Sequence, residues 1–149
     1  MTFQTQYMNI LNQLKSTIQG IGLVDNNNVR IGVKVELARP PFSYIFIEPS
    51  TITLPPKTIE PTYYVTARFN IIYITSIVKT DTSSLESEQQ SIMENTCKII
   101  DTLLSDLTLN NTCSELRVLE ISPETSTTPE LRMFSVTITI ETDFYYTSE

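Results

Sequence analysis

A chain of 149 residues, 40% hydrophobic and 18% charged, has the length and composition of one globular domain and not of a disordered segment. Its formal net charge is -7, with 10 Lys and Arg against 17 Asp and Glu, and those cations are scattered singly, which argues against a phosphate-neutralising surface for nucleic acid. No run approaches the roughly 20 apolar residues of a membrane span, and the start "MTFQTQYMNILNQ" lacks the basic and apolar regions of an export signal, so folding in a cytoplasm is expected.

The first periodic segment is "YMNILNQLKSTIQGI". Tyr7, Ile10, Leu11, Leu14, Ile18 and Ile21 recur every three or four residues, which predicts one amphipathic helix ended by Gly20 and Gly22. "VDNNNV" follows as a loop. "VRIGVKVEL" and "FSYIFIEP" alternate and predict two strands. The first puts Val29, Ile31, Val33, Val35 and Leu37 on one face, and the second carries apolar groups on both faces, as a central strand does.

In "EPSTITLPPKTIEP" four prolines preclude a continuous central strand and predict a stiff extended loop or arm over about 49–61, with Pro55, Pro56 and Lys57 as candidate interface residues. "TYYVTARFNIIYITSIV" is a long strand. In "KTDTSSLESEQQ" Ser83 and Glu86 match a capping box, and the acidic Asp81, Glu86 and Glu88 gather where a helix begins. The helix itself, "LESEQQSIMENTCKIIDTLLSDLTL", is expected to bury Leu85, Ile92, Met93, Thr96, Ile99, Ile100, Leu103 and Leu107. "LRVLEI" reads as a short strand, "SPETSTTPE" as a turn, and "LRMFSVTITIETDFYY" as the last strand. There Val136, Ile138 and Ile140 face a core, while Thr137, Thr139 and Glu141 face elsewhere.

The predicted fold class is α+β, a single domain with a mostly antiparallel sheet and two helices packed on one face, in the order α-β-β-β-α-β-β. Strands joined by short turns are expected to pair antiparallel.

Chemistry is sparse. Histidine is absent, which removes the commonest general base and metal ligand and every Ser-His-Asp or Cys-His set. No phosphate-binding glycine loop occurs, no calcium-loop spacing surrounds Asp81, Glu86 and Glu88, and no cofactor or metal is expected. Two carboxylates on neighbouring predicted strands, such as Glu120 and Glu141, could in principle serve acid/base hydrolysis, but strand carboxylates among polar neighbours are far more often a solvated face. Cys97, at helical spacing with Met93 and Ile100, is expected to be a buried reduced thiol, and Cys113 the more exposed one. Tyr63, Tyr64, Tyr73, Tyr145 and Tyr146 sit on strands, and Tyr145 and Tyr146 are candidate interface residues.

The element order, with the opening helix "YMNILNQLKSTI", the strands "VRIGVKVEL", "YIFIEP" and "YYVTARFNIIYIT", the helix "SSLESEQQSIMENTCKIIDTLL" and the closing "MFSVTITIETDFYY", resembles the tail-terminator or neck (head-tail joining) proteins of tailed phages. The resemblance implies a non-enzymatic virion protein, assembled in the host cytoplasm as a homo-oligomer, a hexameric ring. Such a ring caps the head-proximal end of the tail tube and joins it to the head connector or stopper, and DNA passes through without specific binding. In that setting Asp81, Glu86 and Glu88 would line an acidic lumen or loop, and the polar Thr face of the last strand a subunit interface or the lumen. Two other readings stay open: another neck, head-completion or minor tail subunit, and a small α+β ligand-binding domain.

Overall fold

The computed structural model describes residues 1–32, 42–56, 61–78, 83–127 and 131–147. Helix α1 (Phe3–Ile21) buries Ile10, Leu11, Leu14 and Ile18, the stripe that the sequence periodicity marks. The Thr2 side chain caps its start by accepting from the Thr5 N–H, and Gly22 ends it in the left-handed region at φ 77°; that conformation is cheap only without a Cβ.

Five strands follow in one sheet: β1 (Val29–Ile31), β2 (Ser43–Thr53), β3 (Thr62–Val78), β4 (Glu115–Thr127) and β5 (Leu131–Thr147), in the spatial order β1-β2-β3-β5-β4. Helix α2 (Ser83–Ser105) joins β3 to β4. The α+β class and the order α-β-β-β-α-β-β agree with expectation. One pairing differs: β1 runs parallel to β2, Val29 opposite Ile45, whereas every other neighbour is antiparallel. The remainder of the predicted first strand, Val33, Val35 and Leu37 included, lies outside the described residues.

Period-two patterning decides which face meets the helices. Val65, Ala67, Phe69, Ile71 and Tyr73 of β3 and Val136, Ile138, Ile140 and Phe144 of β5 are buried in one core with Ile45 and Ile47 of β2 and the inner stripes of both helices. Tyr7 of α1 stacks on Phe69 with ring centres 5.6 Å apart, and Asn95 of α2 donates to the Tyr73 hydroxyl at 3.1 Å. The buried Thr96 hydroxyl donates to the Ile92 carbonyl one turn back, at 2.8 Å, so a polar atom on the inner face is satisfied within the helix.

Two strands are longer than expected. β2 continues past Pro49, because a register shift between Pro49 and Ile52 absorbs the proline before Ile52 pairs with Ala67 and Thr53 with Thr66; the predicted arm therefore begins as strand, and among its described residues only Leu54–Pro56 and Pro61 are not strand. β4 runs through the predicted turn, with Pro123 opposite Val136. Being at the sheet edge, β4 tolerates a residue with no N–H to donate.

α2 also differs in detail. It stops at Ser105, so Leu107 lies beyond it and is exposed, as is Met93 within it, while Ile92, Thr96, Ile99 and Leu103 are buried. The side chains of Ser83 and Leu85 lie outside those described. The cysteines exchange their expected roles: Cys97 is exposed and Cys113 buried. Cys97 follows the buried Thr96 by one residue and is turned about 100° off the sheet. Burial pushes the Cys113 thiol up to about 11, with Asp106 and Asp143 adding to the effect.

Candidate functional site

The odd-numbered residues of β5 face away from the helices and, with their cross-strand neighbours, build a polar ladder. In successive rows Tyr64 opposes Tyr145, Thr66 opposes Asp143 and then Glu115, and Arg68 opposes Glu141 and then Arg117. Next come Asn70 with Thr139 and then Glu120, and Ile72 with Thr137 and then Ser122. Along the other flank, the ring of Phe42, just before β2, and those of Tyr44 and Phe46 on it succeed one another at 5.7 and 5.6 Å, and the Arg30 guanidinium lies 5.3 Å from the centre of the Tyr44 ring.

Asp143 is the centre of this ladder and is 1% exposed. Its carboxylate accepts from Tyr64 Oη at 2.6 Å, from Thr66 Oγ1 at 2.8 Å, and from both terminal nitrogens of Arg117, Nη2 at 3.0 Å and Nη1 closer still. The Arg117 hydrogen bond, reinforced by Tyr64 and Thr66, outweighs desolvation and holds the Asp143 carboxyl down at about 2. The same contact raises Arg117, and Tyr64 is raised because its hydroxyl donates to Asp143.

Glu141 extends the network, with Oε1 3.2 Å from Arg68 Nη2 and Oε2 3.6 Å from Arg117 Nη2, while Glu115 lies 3.4 Å from Arg117 Nη1. Three carboxylates thus share two guanidiniums, which leaves the cluster with one negative charge in excess. A bidentate, hydrogen-bonded array of this kind holds its geometry; a single exposed ion pair does not.

The turn leading into β4 is fixed to the same network. Ser114 donates to the Asp143 carbonyl from both its N–H, at 2.7 Å, and its hydroxyl, at 2.9 Å. Leu109, Asn110 and Asn111 just before it all have positive φ, 46°, 54° and 63°, a costly run for residues with a Cβ. Asp106 offsets that cost by accepting from the Asn110 N–H at 2.7 Å and from the Thr108 N–H and hydroxyl, and those bonds hold its carboxyl below the usual range.

The residues singled out in the sequence do not converge on one spot. Tyr145 stands on the helix-free face, 59% exposed, its ring 5.0 Å from that of Tyr64. Tyr146 turns to the other side and packs on Phe3 at 5.4 Å and Tyr63 at 6.3 Å. Pro55 and Pro56 are exposed just beyond β2, whose last pairing residue Thr53 opposes Thr66, so they leave the sheet at the end where Tyr64 and Tyr145 stand. Glu86 is exposed, whereas Glu88 is half-buried on the other side of α2 beside Tyr73, Ser91 and Asn95. Lys57 and Asp81 lie outside the described residues.

Glu120 and Glu141 do share the helix-free face, but in different rows: Glu120 opposes Thr139, while Glu141 opposes Arg117 and is ion-paired. Asp143 and Arg117 escaped sequence reasoning because they are 26 positions apart; the available signal was the alternation of Glu141, Asp143 and Tyr145 along "ETDFYY". Among the described residues no group of three or more Cys, Asp or Glu is arranged to hold a metal ion, and no helix is long and apolar enough to cross a membrane.

No family model matches the chain, and no curated protein matches it. Among solved structures, a chain of "Virion of native gene transfer agent (GTA) particle" is similar to it with a TM-score of 0.38 and 7% identity, over 90% of this chain and 91% of that one. A TM-score of that size is too low for the likeness to bear on function.

Proposed function

We propose that the chain is a non-enzymatic structural protein of a tailed-phage-type virion, of the tail-terminator or neck class. It acts as a ring subunit that caps the head-proximal end of a tail tube and joins it to the head connector. The reading begins from the element order that resembles that family, and one observation carries it further: the helix-free face is a polar wall braced at its centre by a network of ion pairs. Asp143, Glu141 and Arg117 are occupied by mutual pairing, which suits a surface that must keep its shape and not one that must exchange protons with a substrate.

A head-to-tail ring needs two different patches on each subunit. The exposed end made by Leu54, Pro55, Pro56, Tyr64 and Tyr145 supplies one of them. The net charge of -7 favours a channel along which DNA slides without sticking.

Native mass spectrometry over a range of concentration and salt, with and without purified tail tubes, tests the proposal. A discrete six-subunit species, or a monomer that forms rings when tubes are added, is the expected result. A monomer indifferent to concentration and to tubes would overturn it.

A further inference from the structure

We infer that the flank of α2 facing β4 is a docking surface for an amphipathic helix of a different protein, one whose apolar row is bordered by lysine or arginine. The inference does not rest on the virion reading.

α2 carries two apolar stripes side by side. Ile92, Thr96, Ile99 and Leu103 are buried against the sheet. Met93, Cys97, Ile100 and Leu104 repeat the same spacing one residue later, about 100° farther round. The sheet leaves this second stripe open: Met93 is 38% and Leu104 50% exposed, Cys97 is exposed, and Ile100 is only partly buried.

The edge strand continues the apolar surface. Ile121 is paired with the core residue Ile138, so it projects on the helix side, and it is 40% exposed. Between α2 and the sheet beside Met93 lies an open groove of about 280 Å³, with Ile92, Pro123, Phe134 and Val136 among its walls. Apolar surface this continuous is uncommon on a protein with no partner for it.

Two features select a helix over a strand as the occupant. The register shift between Val118 and Glu120, and Pro123 farther along, interrupt the backbone edge of β4, and bulges and prolines are what keep added strands off an edge. The spacing of Met93, Cys97, Ile100 and Leu104, by four, three and four, is that of a seam into which a second helix sets its side chains.

Charge decides which helix. Glu86 continues the stripe two turns before Met93, and Glu94 and Asp101 border it; all three are exposed. Lys98 is the cation on this stretch of α2, and it lies about 130° from the centre of the stripe. A second copy would bring like charges together, since the same acids would face each other, whereas a partner with Lys or Arg beside its apolar row would find complementary ones.

The test uses the full chain and three labelled synthetic helical peptides, read by fluorescence anisotropy. All have leucines at the four-three-four spacing; one is flanked by lysines, one by glutamates, and one is a scrambled version of the first. The lysine peptide should bind, weaken as salt is raised, and slow alkylation of the exposed Cys97 thiol. Met93→Glu and Leu104→Glu, both at exposed positions, should each cost at least tenfold in affinity while leaving the unfolding midpoint in place. Equal binding of the glutamate peptide, binding untouched by both substitutions, or no binding of any peptide would overturn the inference. So would sedimentation showing self-association that Leu104→Glu abolishes, because the occupant would then be a second copy.

Discussion

Asp143 and Arg117 meet on the diagonal of neighbouring strands. The residue directly opposite Asp143 is another acid, Glu115, and the one opposite Arg117 is Glu141. Arg117 reaches along the sheet and places two nitrogens on the two Asp143 oxygens, so one guanidinium relieves an Asp-Glu juxtaposition that would otherwise be repulsive. Replacing Asp143 by Asn is expected to cost about 2 kcal/mol in urea unfolding, since it removes the charge from a buried acceptor whose Arg117 partner remains partly exposed to solvent. Arg117→Lys should restore less than half of what Arg117→Ala loses, because an ammonium cannot make two parallel bonds. Tyr64→Phe and Thr66→Val should each cost about 1 kcal/mol.

Acid should unfold this chain partly through Asp143. Its folded pKa, about 2, lies below the roughly 3.9 of an unfolded Asp. The stability it contributes is therefore present in full above pH 4 and is lost as pH falls through the folded value. The loss amounts to about 2 kcal/mol between roughly pH 4 and pH 2. Urea midpoints measured across that window should fall steeply for the native chain and less steeply for Asp143→Asn.

The two thiols should differ sharply in reactivity. Cys97 is exposed and Cys113 buried, with the latter raised to about 11. At pH 8 an alkylating reagent is expected to modify one site per native chain within minutes, mapped by mass to Cys97, and the second only on addition of denaturant. A group raised in the folded state stabilises below its unfolded pKa, so Cys113 should begin to cost stability as pH rises above about 8.5. Cys113→Ala should flatten the alkaline limb of the stability profile.

Adjacent tyrosines should behave oppositely. Tyr146 packs on Phe3 and Tyr63, and Tyr146→Ala should cost about 2 to 3 kcal/mol of stability. Tyr145 is exposed beside Tyr64, so Tyr145→Ala, like Pro55→Ala combined with Pro56→Ala, should leave the unfolding midpoint within about 0.5 kcal/mol. If that end of the sheet is a ring contact, these surface variants should still shift the native mass distribution toward monomer.

By itself the sequence determined the elements with unbroken periodicity. The stripe Ile10, Leu11, Leu14 and Ile18, the alternation of β3 and the core face of β5 all follow from short-range spacing, because a helix repeats every 3.6 residues and a strand every two. The alternation likewise showed that Thr137, Thr139 and Glu141 turn away from the core. What those residues meet was decided only in the folded chain. Strand order placed β5 between β3 and β4, and that adjacency, invisible to local pattern, brought Thr66, Tyr64 and Arg117 onto Asp143. Tertiary context also carried β2 past Pro49 and β4 through Pro123, where propensity stops a strand, since a bulge takes up one and an edge accepts the other. It exchanged the cysteines for the same kind of reason. α2 meets the sheet through Ile92, Thr96, Ile99 and Leu103, and the turn of about 100° between successive helical residues points Cys97 away from that contact, whatever its apolarity.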